Sequence, residues 1–596
     1  MVSTPVDVTK VDAILDEYRR DPLMLVQILR RVQAEYGCVP PAVRMHISRA
    51  LNLPPAQVHG VVEFYHFMSS APQGAYRIRL SDNITDRMLG NEAIMDRLCE
   101  KLGVKRGETR ADGRVSVDYT SCTGMCDQGP AALANGLAVT RLTVTRVDEM
   151  ARLIEMSAPL TTWPHDWFHV EDNIRRRHLT LNTEIEPGAA IRAVIKRGAD
   201  AILREVQLSG LRGRGGAGYG TALKWKVCRE APWTPRYVTC NADEGEPGTF
   251  KDRVLLTGFA DVMIEGMTVC AMIIGAEKGF IYLRGEYEYL HHHLLEVLWR
   301  RRAEHLLGAD ILGSGKKFDV DIHLGAGAYI CGEENALIES LEGKRGIPRV
   351  RPPFLATHGY LQHPTANNNV ETFVQAAQIA VEGGQWFSAA GTEKSKGTKL
   401  LSVSGDVERP GIYEIPWGAT VAHVCEEARA LGEILAVQVG GPSGAMISAA
   451  ELERRVAYED LPTGGSFMVF NTSRDIVLIA QNFARFFARE SCGFCTPCRV
   501  GTQVLRRTID KVVAGHGSEI ELGEIEEIGR IVKGMSHCGL GQTAANPILD
   551  SLKRFRDRYE SRLATREFVP DFDLDSAVAE SRRLTGRDDS LAHLAR

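Results

Sequence analysis

Four cysteines near the C-terminal end are spaced for a cubane iron–sulfur cluster: Cys492, Cys495 and Cys498 in ESCGFCTPCR, and Cys538 in SHCGLG. Three thiolates on one tight turn can bind three corners of a [4Fe-4S] cube while a distant loop supplies the fourth. Zinc is the rival occupant. Its sites usually pair one C-x2-C with a second one or with histidines, and although His537 adjoins Cys538, a zinc site would leave one thiolate of the triplet idle. A cluster of this kind implies electrons moved one at a time.

Three further stretches carry polar and glycine-rich patterns suited to a ligand. Gly213, Gly215, Gly216 and Gly218 form a loop flanked by Arg212, Arg214 and Lys224, through which backbone could approach a flat or phosphorylated molecule. Gly213, Gly215 and Gly218 spell G-x-G-x-x-G, but the preceding AILREVQLSGLR is amphipathic rather than an apolar strand, so the dinucleotide fingerprint fails on context. The second stretch, NADEGEPGTFKDR, follows the apolar strand RYVTC, and its Asn241, Asp243, Glu244 and Glu246 suit hydrogen bonds to hydroxyls or ring nitrogens. The third runs from Gly325 through Tyr329, Cys331, Gly332, Glu333 and Glu334, followed by RVRPPF and by Asn367, Asn368 and Asn369. The second and third loops each follow a strand, which is where α/β sheets place ligands.

The elements that must position these loops follow from periodicity. The chain of 596 residues is too long for one core and divides into several domains. Residues 1–72 read as a helical bundle and 73–157 as a small α/β domain; 158–180 is a Pro/Trp-rich linker. Residues 181–396 read as a larger α/β domain, 397–475 as a β-rich domain with one helix, 476–560 as a helical domain holding the four cysteines, and 561–596 as a tail. The content of 44% hydrophobic and 25% charged residues is that of a soluble globular protein. A net charge of -5 without a basic tract gives no footing for nucleic acid. No apolar run approaches the ~18 residues of a membrane span, and no signal-peptide core is visible. The 13 cysteines are scattered apart from two clusters, so a cytoplasmic, reducing location is expected.

GLRGRGGAGYGTALKW, NADEGEPGTFKDR, GAGAYICGEENALIESLEGKRG, RPPF, NNNVET, ESCGFCTPCR and SHCGLG together resemble the flavin subunit of the respiratory NADH dehydrogenase family, over about residues 180–560. Residues 74–157 are similar to the thioredoxin-like [2Fe-2S] subunit of the same complexes, fused upstream. That fusion most resembles the diaphorase large subunit of soluble NAD-reducing [NiFe] hydrogenases. The resemblance implies a multidomain α/β fold: a helical bundle with a thioredoxin-like domain, a Rossmann-like FMN/NAD domain, a β-grasp (ubiquitin-like) domain and a C-terminal helical bundle.

It also implies an NAD(H):FMN oxidoreductase. FMN would contact Gly213, Gly215, Gly216, Lys224, Asn241, Asp243, Glu244, Tyr329, Gly332, Glu333, Asn368 and Asn369. NAD(H) would lie near Tyr219, Glu246, Glu334, Arg351 and Phe354, with Glu246 and Glu334 positioning it and no side chain acting as nucleophile. A [4Fe-4S] cluster would sit on Cys492, Cys495, Cys498 and Cys538. Partners would be a small Fe-S diaphorase subunit and a NiFe-hydrogenase heterodimer. The thioredoxin-like domain departs from its family: Cys122 and Cys126 keep the later cysteine pair, but Ser81 and Asp86 stand where the first pair belongs. Two readings stay open there, a [2Fe-2S] cluster with two hard oxygen donors or a domain kept for packing. The flavin subunit of an NAD-dependent formate dehydrogenase or of respiratory NADH dehydrogenase is the nearest alternative, and an electron-transfer scaffold without FMN the non-enzymatic one.

Overall fold

The computed structural model describes residues 8–564 and 573–588. Of the expected C-terminal tail, residues 565–572 and 589–596 lie outside the described residues, and between them runs the helix Leu574–Thr585.

Four short helices, Thr9–Glu17, Leu25–Tyr36, Pro41–Ala50 and Pro55–Phe64, open the chain. Leu25, Val26, Ile28, Leu29 and Val32 make one apolar stripe on the second of them, which Gly37 ends in a left-handed cap. A five-stranded sheet follows, in the order Glu108–Thr109, Val115–Thr120, Tyr76–Ser81, Ala132–Ala134, Leu137–Val139, with Tyr76–Ser81 and Val115–Thr120 parallel and the rest antiparallel. With helices Asn91–Leu102 and Val144–Glu155 against it, this is the thioredoxin-like domain. Residues 158–180, read as a linker, are more than that. Trp163 and Trp167 are buried in the thioredoxin-like core, Trp163 stacked on Tyr76, because such large aromatic surfaces gain most from burial. Ile174–Arg176 then pairs with Gly411–Pro416 as an edge strand of a distant sheet.

The central domain is built on four parallel strands in the order Thr365–Asn369, Tyr237–Ala242, Lys278–Leu283, Asp319–Leu324. Lys278–Leu283 is buried along nearly its whole length, as a strand covered on both faces must be. The helix Ala260–Ile274 is apolar except for Asp261 and Glu265, which both pair with Arg301, and it is correspondingly buried. Among the described residues no single helix is long and apolar enough to cross a membrane; Ala260–Ile274 passes that test only jointly with Lys251–Gly258, from which it is bent by 91°.

The next sheet has the order Ala445–Ser448, Ile434–Val439, Ser466–Asn471, Thr398–Gly405, Gly411–Pro416, Ile174–Arg176, with Ser466–Asn471 and Thr398–Gly405 parallel at its centre and helix Val421–Glu427 packed on it. Two hairpins joined through one helix, with first and last strands side by side, make a β-grasp. The chain closes in the helices Ile476–Glu490, Thr496–Val513, Glu519–Met535 and Asn546–Arg554.

Candidate functional site

All four strands of the parallel sheet run the same way, so the segments that follow them emerge at one edge. Register puts Asn369 beside Asn241 and Asn241 beside Tyr282, and the loops Asp243–Thr249 and Gly325–Glu333 leave from that edge. The structure ties these segments to each other. Asn241 donates its amide to the Gly332 carbonyl at 2.8 Å. The ammonium of Lys224 reaches the Asn367 carbonyl at 2.9 Å and the Glu334 carboxylate at 3.2 Å, and the Trp225 indole donates to Asn368 at 2.8 Å. Arg351 lies 3.5 Å from Glu333 and 3.9 Å from Glu334. Tyr219 and Phe354 leave half or more of their surface exposed at 50% and 57%, so both rings are free to stack on a ligand.

Tyr329 donates its phenol to Glu246 at 2.5 Å, and the Ser443 amide donates to the other Glu246 oxygen at 2.8 Å. Burial pushes the Glu246 carboxyl up, opposed by these two donors, and burial drives the Tyr329 phenol well above its ordinary range.

Several expected contacts are turned elsewhere. Arg214, read as a cation flanking the glycine loop, is fully buried and points inward, its guanidinium donating to Gln375 at 2.8 Å and to the Lys396 carbonyl at 2.8 Å. Arg212 covers the Tyr458 ring at 4.0 Å. Glu244 accepts the Asp252 and Arg253 amides at 2.8 and 3.1 Å and the Tyr287 phenol at 2.8 Å, so both its oxygens hold the start of the helix Lys251–Gly258. Glu333 caps the helix Glu334–Leu341. Asn369 accepts from Lys251 at 3.0 Å and donates to Asp252 at 2.6 Å. These side chains shape the edge from beneath, because the helices that follow the strands need caps and the nearest acceptors serve.

The β-grasp domain contributes a wall that sequence reasoning missed. Tyr458 donates to the Gly213 carbonyl at 2.8 Å, and Gly464 packs against Gly216. Gly218 has φ +66°, and a Cβ there would stand 2.4 Å from the Tyr458 ring; at Gly441, φ +68°, it would stand 2.5 Å from Glu246. The glycine pairs Gly440-Gly441 and Gly464-Gly465 were the available signal. Lys251, buried among Asp252, Glu371 and Asn369, was likewise unassigned.

The edge fits a flavin nucleotide on two observations. The Asp243 carboxylate has one buried oxygen without a hydrogen-bond partner, and burial holds this group well above the usual carboxylate range. Gly213 and Gly215 have ordinary φ, and a Cβ on either would meet the protein no closer than 3.6 and 3.4 Å. The chain's own packing therefore does not demand glycine there, whereas close approach of a ligand to the backbone would.

The cluster cysteines stand next to this edge. Tyr329 packs edge-on against Phe486 at 4.9 Å, and its amide donates to Glu490 at 3.1 Å, both on the helix that leads into Cys492. Cys492, Cys495, Cys498 and Cys538 face one another closely enough to influence each other's ionisation, and burial pushes the Cys498 thiol up to about 12 and that of Cys538 to about 11. Among the described residues no three His, Cys, Asp or Glu side chains close on one point as a single metal ion requires, and His537 turns its Nε2 to the carbonyls of Pro348 and Arg349 at 3.2 Å. Three thiols on one turn and a fourth from a distant loop, with His537 turned away from them, are the donor set of an iron–sulfur cube rather than of a cysteine–histidine zinc site.

In the thioredoxin-like domain, Ser81, Asp86, Cys122 and Cys126 also converge, with the two Sγ atoms 3.6 Å apart and the Asn83 amide among all four. Burial pushes the Asp86 carboxyl up to about 8.

Three family models match the chain. Residues 206–378 match the Nuo51 FMN-binding domain, residues 11–155 the thioredoxin-like [2Fe-2S] ferredoxin, and residues 478–562 the iron-sulfur binding region of NADH-ubiquinone oxidoreductase-F. The NAD-reducing hydrogenase HoxS subunit alpha of Cupriavidus necator is 42% identical over 96% of this chain and 97% of that protein. The HndC subunit of the NADP-reducing hydrogenase of Solidesulfovibrio fructosivorans is 40% identical over 60% of this chain and 75% of its own length. A chain of the crystal structure of NAD+-reducing [NiFe]-hydrogenase in the H2-reduced state superposes with a TM-score of 0.91 at 44% identity, covering 97% of this chain and 99% of that one.

Proposed function

Since the chain belongs to the family of the alpha subunits of NAD-reducing hydrogenases, we infer that it is the NAD(H):FMN oxidoreductase, or diaphorase, subunit of such an enzyme. The observation that carries this reading is the edge of the parallel sheet, where the glycine loop, the Asn241–Gly248 loop, Tyr329–Glu334 and Asn367–Asn369 meet beside the cysteine-bearing helices. Bound FMN supplies an N5 atom that exchanges hydride with NAD(H) and a ring that exchanges electrons singly with a [4Fe-4S] cluster.

The chain's residues do the positioning. The Gly213 amide is bonded to the Tyr219 carbonyl and the Arg214 amide to the Thr372 hydroxyl, so Gly215 and Gly216, which carry no side chain, are where the backbone can approach the ligand, and Lys224 brings a positive charge to the same edge. The unpartnered Asp243 oxygen offers an acceptor to a hydroxyl or ring N–H. Tyr219 and Phe354 offer rings for nicotinamide dinucleotide to stack on, and Arg351 a cation for its phosphates. Glu246, fixed between Tyr329 and Ser443, and Glu334, fixed by Lys224, place negative charge where the cationic oxidised nicotinamide would be favoured. The cysteine turn carries exposed Phe494, the helix Thr496–Val513 that follows it carries exposed Val500, and Met535 is exposed at the end of the helix Glu519–Met535, apolar surface suited to a partner that receives the electrons. We assign that partner as a small Fe-S diaphorase subunit, with a NiFe-hydrogenase heterodimer beyond it, and the location as cytoplasmic.

Denaturing the purified chain and measuring released flavin fluorescence tests the reading, with about one FMN per chain expected. A value near zero, together with no NADH-driven reduction of ferricyanide, would replace it with a flavin-free electron carrier.

A further inference from the structure

We propose that Asn83 occupies the place of a [2Fe-2S] cluster in the thioredoxin-like domain, so that among the described residues Cys492, Cys495, Cys498 and Cys538 hold the only iron–sulfur cluster. The Asn83 amide nitrogen lies 2.9 Å from Ser81 Oγ, 2.7 Å from Asp86 Oδ2, 3.2 Å from Cys122 Sγ and 3.5 Å from Cys126 Sγ. These are the four side chains that would have to ligate the irons, and the nitrogen stands in the space between them.

The amide is held there from its other end. Asn83 Oδ1 accepts the Asp86 amide at 3.0 Å and the Thr85 hydroxyl at 2.6 Å, capping the helix Ile84–Met88. Turning the amide over would lose both bonds and set a carbonyl oxygen against the Asp86 carboxylate, so the network assigns the orientation. The second Asp86 oxygen is also engaged, accepting the Ala131 amide at 2.9 Å. Ser81, Asn83, Asp86, Cys122 and Cys126 are each 4% exposed or less, so no water reaches them from outside.

The chemistry is self-consistent. With two thiolates exchanged for a hydroxyl and a carboxylate, the site has lost half of the soft donors that iron–sulfur clusters take. An emptied polar cavity would leave each of these buried groups without a partner, at the full cost of its desolvation. One amide with two N–H groups gives Ser81 and Asp86 a donor each and leaves the sulfurs, which tolerate poor hydrogen bonding, at longer range. The domain keeps its cluster-binding geometry with an amide in the middle. This inference does not depend on the flavin reading, since it concerns a site on another domain.

Iron and acid-labile sulfide, counted on the full-length chain after anaerobic incubation with ferrous iron, sulfide and dithiothreitol, decide it. The expected result is about four irons per chain, unchanged in Cys122→Ser/Cys126→Ser and lost in Cys538→Ser. The combined substitution Ser81→Cys, Asn83→Gly, Asp86→Cys should raise the count to about six and add a second paramagnetic signal on reduction. About six irons in the unaltered chain, falling to about four when Cys122 and Cys126 are replaced, would overturn the proposal. So would a folded triple variant that gains no iron. The first two counts need no variant of Asn83 and stand even if that one does not fold.

Discussion

The guanidinium of Arg253 and the carboxylate of Asp127 form a two-pronged ion pair, both bonds 2.9 Å, with 1% and 0% of their side chains exposed. Arg253 ends the NADEGEPGTFKDR loop of the flavin domain and Asp127 follows Cys126 in the thioredoxin-like domain. A loop read for ligand binding thus also fastens one domain to another. Arg253 further donates to the Gly124 carbonyl at 2.7 Å, so the attachment reaches into the turn between Cys122 and Cys126.

Removing one partner strands the other as a buried, uncompensated charge. Asp127→Asn should therefore destabilise the chain by about 3–5 kcal/mol, visible in calorimetry as an earlier transition of the thioredoxin-like domain. A loss below about 1 kcal/mol, the range of exposed pairs, would mean that this contact does not hold the two domains together.

Tyr329→Phe removes one of the two donors to Glu246 and keeps the ring against Phe486. The FMN content should stay unchanged while kcat/KM for NADH with ferricyanide falls about tenfold, the equivalent of about 1.4 kcal/mol. Loss of FMN instead would place Tyr329 in flavin retention rather than in holding Glu246 for the nicotinamide.

Cys538→Ser separates the two halves of the chemistry. Iron content should collapse, and NADH should still bleach the flavin in a stopped-flow experiment, because the sheet edge is built without that cysteine. In the assembled enzyme, hydrogen-dependent NAD+ reduction should be abolished. A variant that retains this activity would show that electrons leave by another route.

Glu451 accepts Arg554 at 2.6 and 2.9 Å, clamping the β-grasp domain to the helix Asn546–Arg554. The Arg554 guanidinium holds the Glu451 carboxyl down to about 2, below its ordinary 4.5. A depressed carboxyl stabilises above its unfolded value, and that contribution is lost as pH falls from about 4.5 towards 2. Glu451→Gln should lower the melting temperature at pH 7, and the difference from the unaltered chain should shrink at pH 3. Because the pair is partly solvated, the effect is of order 1 kcal/mol. A difference that does not change with pH would mean that the ionised pair contributes nothing.

Much of the site was legible in the chain because its signals are local. A cysteine triplet inside one turn, glycines within six residues, and acids just after an apolar strand all express spacing along the backbone, and the backbone preserves it. The cations of the glycine loop were less legible: Arg214 carries the right charge but finds Gln375, distant in sequence, and turns inward. Glu244 matched a ligand-binding pattern, yet its oxygens cap a helix whose first amides need acceptors. Trp163 and Trp167 looked like linker composition and became core, since the sheet that buries them is made of strands up to about ninety residues upstream.

By itself the sequence determined the kind of chemistry: which donors are soft, where backbone can approach a ligand, and that a cubane cluster has its four thiolates. Only the tertiary structure decided which of these groups face the same space. It sets Tyr458, Gly441 and Gly464 of the β-grasp domain over the glycine loop and Glu246. It locks Arg253 to Asp127 and puts Asn83 where the substitutions at Ser81 and Asp86 had left the metal count open. The physical reason is the same in each case. Hydrogen bonds and packing act at about 3–4 Å through space and are indifferent to separation along the chain, so the partner of a buried group is settled by topology rather than by its neighbours in sequence.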